Sequence, residues 1–156
     1  MYNSADHYAL CDVSGGHVAS TASCLCQKPS APVVTIASIN TNTTSSGCYV
    51  TAMMGQLVTV YGYVTGIDNM GFYMQDGVAS APNQGIYVYC GSSQSTGYNA
   101  SFIARTVGER VMVTALVDEY YSLTELNLRT TTNPIVLSIS TGATLTPLAT
   151  TTGAIG

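Results

Sequence analysis

At 156 residues the chain has length for one domain with a sizeable core plus an arm or tail, and too little for two ordinary domains. Hydrophobic residues make up 46% of it and charged residues only 8%, against roughly 25% in a typical soluble domain. The net charge is −4, and Lys28, Arg105, Arg110 and Arg129 are the side-chain cations besides His7 and His17; even if all four met phosphates the salt slope would reach only about −3 to −4, which disfavours binding driven by a nucleic-acid backbone.

Residues 1–32 carry no sustained period of 2 or 3.6 and read as an irregular arm. The opening MYNSADHY lacks the basic region and apolar segment of a signal peptide, which suggests either a mature or excised form or a cytosolic protein. Five cysteines and two glycosylation triplets, at Asn42 and Asn99, argue instead for an oxidising, extracellular or cell-surface setting. Pro29 and Pro32 break the chain, and residues 33–39 then read as a first strand ending in a polar loop over 40–46.

The stretch 56–128 is a series of short β-branched and aromatic runs bounded by Gly, Asn, Asp or Ser, so each run reads as a strand. In 57–64, alternation places Val58, Val60 and Val64 on one face and Tyr61 and Tyr63 on the other, with Gly62 where a strand can bend sharply. Asp68-Asn69 makes a turn and 72–75 returns as the hairpin partner. After a loop over 76–84, the run 86–90 sets Ile86, Val88 and Cys90 against Tyr87 and Tyr89. In 91–106, Asn99 is placed to cap a short helical turn carrying Phe102 and Ile103. Val111, Val113, Ala115 and Val117 line one side of the next strand, and Tyr120-Tyr121-Ser122 turns it into 123–128. From residue 130 the chain is Thr-rich, with one further strand at 135–139 and a tail over 140–156. No 20–50-residue repeat is visible, so a solenoid or propeller is not supported. The chain thus divides into an arm (1–32), a barrel (33–139) and a tail (140–156).

A bent first strand, two antiparallel strands, a variable connection and a closing pair is the order of an all-β, five-stranded Greek-key barrel of the OB type. Over residues 55–128 the segments GQLVTVYGYVTG, GFYMQD, GIYVYCG and VGERVMVTALVDEYYSLTEL also resemble the OB-like accessory domain of secreted bacterial nucleases of the endonuclease/exonuclease/phosphatase type. The resemblance implies an OB-like fold and an extracellular habit. It carries no reaction over, because the catalytic domain of such proteins has no counterpart here.

Cys11, His17, Cys24 and Cys26 offer the ligand types of a zinc site, but the spacing C-x5-H-x6-C-x-C lacks the C-x2-C knuckle, so the reading is no metal and no cofactor. Disulfides are the preferred use of Cys11, Cys24, Cys26, Cys48 and Cys90; the odd count leaves one thiol free or bonded to another chain, and a Cys48–Cys90 bridge is one pairing that would staple the barrel mouth. No nucleophile, base and orienter set is present. Adjacent Asp118 and Glu119 point to opposite faces of a strand, and Asp68 and Asp76 read as turn formers ahead of calcium ligands.

Tyrosine is the unusual feature: eleven, with two phenylalanines and no tryptophan. Tyr61, Tyr63, Tyr87 and Tyr89 lie opposite the valines, and so are either covered by the arm and tail or presented to a partner. Together these features lead to the expectation of a secreted, non-enzymatic structural protein that self-assembles into a fibre or oligomer through its arm. The alternative is an accessory module that binds nucleic acid or carbohydrate.

Overall fold

The structure, a computed structural model, describes residues 31–45, 48–92 and 100–147, with only the backbone described at 42–45, 48, 49 and 100. Cys11, His17, Cys24, Cys26 and Asn99, and the side chains of Asn42 and Cys48, lie outside the described residues.

The chain order is β1 (Val33–Val34), α1 (Ile36–Ile39), β2 (Asn42–Ser45), β3 (Cys48–Thr51), β4 (Leu57–Ile67), β5 (Gly71–Gln75), β6 (Gly85–Tyr89), α2 (Ala100–Ile103), β7 (Arg110–Tyr120), β8 (Leu123–Asn127) and β9 (Ile135–Ser140). Five of these close on themselves. Strand β4 pairs antiparallel with β5, β5 with β6, β6 runs parallel to β8, and β8 pairs antiparallel with β7, which returns to β4. The fold is all-β, a closed five-stranded OB-like barrel. Closure leaves none of these five strands with a fully free edge.

Strand β4 makes closure possible by serving two neighbours along its length. Its first half lies against β7 and its second half against β5, and Tyr63 is opposite both Arg110 and Gln75 where the partners change. At that bend a Cβ on Gly62 would sit 2.7 Å from the Gln75 carbonyl oxygen, so the crossing requires glycine.

The alternation read from sequence is the one that packs. Val58, Val60, Val64, Phe72, Met74, Ile86, Val88, Val111, Val113, Ala115, Val117 and Leu126 are all buried in one core. Two short helices add apolar side chains to it. Ile36 and Ile39 of α1 are fully buried, and Phe102 and Ile103 of α2, the helical turn expected from sequence, pack against the same cluster.

Two elements differ from the sequence reading. Residues 33–39 are not one strand: Val33–Val34 pairs parallel with Thr59 and Val60, and Ile36–Ile39 is helical. The reason lies in Thr35, whose side chain accepts from the Ser38 amide as an N-cap, and in Asp76, whose two carboxylate oxygens accept from the amides of Ile36 and Ala37 at 2.8 and 2.9 Å. A carboxylate forty positions away therefore satisfies the open amides of the first turn. The expected loop over 40–46 contains β2, which forms a hairpin with β3.

Cys90 is a free, buried thiol at the barrel wall. The Cys48–Cys90 staple is accordingly not formed. Burial, the larger influence, pushes the thiol pKa up to about 12 despite the opposing field of Arg105.

Candidate functional site

The outward side chains of β5, β6, β8 and β7 form rows across the barrel. Register places Tyr73 opposite Tyr87, Tyr87 beside Glu125, and Glu125 opposite Asp118. One rung along, Gln75 faces Gly85. Gly85 supplies no side chain, and a Cβ built there would meet nothing within 4 Å. The resulting groove has a volume of about 270 Å³ and is lined by Asn40, Thr65, Tyr73, Met74, Gln75, Gly85, Ile86, Tyr87, Leu123 and Thr124, none of which carries a charge.

Tyr87 is fixed into this surface. Its hydroxyl donates to Asp68 Oδ1 and Oδ2 at 3.0 and 3.1 Å, and burial together with that carboxylate raises its pKa. The ring fits because Gly71 lies beneath it: a Cβ there would come within 2.8 Å of the hydroxyl and against the Val88 carbonyl. Tyr87 is only 7% exposed, which corrects its expected place among outward interface tyrosines. Its contribution is to hold Tyr73, whose ring lies 4.8 Å from it at 45° and is 46% exposed. Tyr73 is not marked by the alternation that places Tyr61, Tyr63, Tyr87 and Tyr89. It sits at the opposite parity to Phe72 and Met74 in a five-residue strand too short to display alternation clearly.

Asp68 does form a turn, as read from sequence, accepting from the amides of Met70 and Gly71 at 2.8 Å, and the same carboxylate anchors Tyr87. Asp76 is a tertiary helix cap.

The groove is bordered by the hairpin between β7 and β8. Tyr121 and Ser122 have φ of 48° and 67°, as in the two-residue turn whose twist matches antiparallel strands. The turn projects Tyr121, which is 90% exposed and stacks edge-on with Tyr120 at 4.6 Å. Leu123, also exposed, joins this hairpin tip to the groove.

Tyr61, Tyr63 and Tyr89 are partly exposed. The guanidinium of Arg110 lies 5.9 Å from the Tyr61 ring centre and 6.0 Å from that of Tyr63, so these two form a patch with a cation of its own, which adjoins the groove where Tyr63 is opposite Gln75.

Asp118 and Glu119 do not pair with each other. Across the hairpin Asp118 instead meets Glu125, and the Asn127 amide donates to Asp118 Oδ2 at 2.9 Å and to Glu125 Oε1 at 3.4 Å. Burial first, then the charges of Asp118 and Glu119, push the Glu125 carboxyl up to about 7. This pairing follows from the turn centre at Tyr121-Ser122, which sets residue 118 opposite residue 125. Glu119 is occupied elsewhere, with Oε1 accepting from the Thr51 amide and the Thr124 hydroxyl. Among the described residues no three His, Cys, Asp or Glu side chains converge as a metal site, and no described helix is long and apolar enough to cross a membrane.

No protein family matches the chain, and no curated protein matches it significantly. Among solved structures it is similar to the hypothetical protein ygiW from E. coli, with 14% sequence identity over 54% of this chain and 77% of that one and a TM-score of 0.34, a likeness too slight to argue function from.

Proposed function

We propose that this chain is a non-enzymatic structural protein of the cell exterior, built on an OB-like barrel, whose copies associate through uncharged tyrosine-rich surface. The observation that carries the reading is the continuous face formed by Tyr73, the groove, Leu123, Tyr120 and Tyr121. It is aromatic and apolar, its groove lining holds no charge, and its border is acidic. Exposed tyrosine next to apolar surface suits a protein interface, where one end of the ring is desolvated and its hydroxyl remains hydrated. An anionic strand finds no cation in the groove.

Sedimentation velocity of the full chain over a concentration series tests this. The expected result is assemblies that grow with concentration and that extend no further than a dimer in the double variant Tyr73→Ser, Tyr121→Ser. A single monomeric species at every concentration would overturn the reading.

The groove supports a second reading, the accessory carbohydrate-binding module, because a neutral aromatic trough suits an uncharged oligosaccharide and OB faces accept such ligands. Quenching of tyrosine fluorescence by a neutral oligosaccharide, but not by a single-stranded oligonucleotide at low salt, would favour it.

A further inference from the structure

The rungs of the barrel continue beyond it. Val33 of β1 is opposite Thr59 of β4, Thr59 is opposite Thr114 of β7, and Thr114 is opposite Ile135 of β9. The Thr59 and Thr114 hydroxyls share a buried hydrogen bond of 2.8 Å at the centre of this rung. The barrel wall is thereby extended into a four-strand layer with β1 at one edge and β9 at the other.

The two edges differ in how they are guarded. Strand β1 is two residues long, too short to template another strand. Strand β9, Ile-Val-Leu-Ser-Ile-Ser, is six residues long, and among the described residues no strand lies beyond it. Its sequence offers no chemical protection of an edge: no lysine, no other charge and no internal proline. Its one irregularity is a bulge at Ile139, where β9 advances two residues against the single step from Arg110 to Val111; it falls at the Ser140 end and leaves 135–138 in regular register. Leu137 is 38% exposed, while Val136 packs against the core and holds the strand in place.

We infer that β9 is a homotypic docking edge, pairing antiparallel with β9 of a second copy about a two-fold axis. The row of unpaired amides and carbonyls along an edge calls for an extended strand as its occupant, since main-chain hydrogen bonds supply the affinity of such additions. The second copy's β9 is favoured by charge. Antiparallel self-pairing of this strand sets only Ile, Val, Leu and Ser opposite one another, so no register brings like charges together. A head-to-tail contact through β1 would offer two residues only. The inference rests on the reading that copies associate. A two-fold contact at β9 and a separate contact at the tyrosine face would together allow dimers to be joined into an extended assembly.

Amide hydrogen exchange on the full chain at rising concentration reads β9 directly. Residues 135–140 are expected to gain protection with concentration, in parallel with dimer formation. Leu137→Lys, which sets two cations near the two-fold axis, is expected to remove that protection and weaken dimerisation at least tenfold, while the neutral Leu137→Thr keeps both. Three results would overturn the inference: β9 amides unprotected at every concentration, protection independent of concentration because the chain covers its own edge, or concentration-dependent protection that disappears on deleting residues 1–30 because a neighbour's arm is the occupant. If assembly proceeds with β9 amides open, the edge fails and the tyrosine face stands; if the chain is monomeric throughout, both fail.

Discussion

Two pairs of tyrosines on one barrel have opposite surroundings. Tyr61 and Tyr63 lie on β4 under the guanidinium of Arg110, whereas Tyr73 and Tyr87 lie on β5 and β6 beside Glu125 and Asp118, with Asp68 holding the Tyr87 hydroxyl. The first pair has its own cation and is partly screened by it. The second pair has one ring locked so that the other is displayed. Strand parity put all these rings on the outside of the barrel, but which ring a partner can reach is decided by neighbours distant in sequence.

The largest test of this contrast is at Gly71. Its replacement by alanine drives a methyl group into the Tyr87 ring and the Val88 carbonyl, and is expected to cost about 1–3 kcal/mol or more by overpacking. Gly66→Ala is the control, since its Cβ would meet only the edge of Tyr73 at an ordinary 3.6 Å. Chemical denaturation of both variants should show a large loss for the first and little for the second. Equal losses would mean that Tyr87 is not held by the close approach described.

The second test is acidity. The Glu125 carboxyl titrates at about 7 in the folded chain, against an ordinary 4.5, so between these values the native state keeps a proton that the unfolded state has released. This contribution is complete below pH 4.5 and is lost as pH rises through 7, so stability should fall across that window. Thermal unfolding should therefore occur a few degrees lower at pH 8 than at pH 5, and Glu125→Gln should flatten that slope. A slope unchanged in the variant would assign it to other groups.

The smallest effect belongs to the other patch. Arg110→Ala removes a cation from over two partly exposed rings and is expected to cost about 0.5–1 kcal/mol, with no change in the groove. Denaturation midpoints check the first part. The tyrosine fluorescence response to association checks the second.

The barrel was legible because its strands obey a local rule. Alternation in 57–64 and 111–117 marks the inward valines, and turn residues at Asp68-Asn69 and Tyr121-Ser122 punctuate them. Helix α1 was not legible, because Val33 to Ile39 has strand-like composition and becomes helical from Ile36 only when Asp76 closes its first turn. That tyrosines would stand on the barrel's outer surface was legible, but not which of them are accessible. Tyr87 is a buried support and Tyr73, Tyr120 and Tyr121 are the displayed rings, because accessibility depends on a glycine gap at Gly85 and a hairpin tip that no single strand records.

The thiol of Cys90 bears on the order of events in the life of the chain. Since the barrel encloses it in reduced form, packing of the wall requires no oxidant and can be finished in a reducing compartment. Oxidation of other cysteines, whatever their partners, is then not what closes this part of the wall.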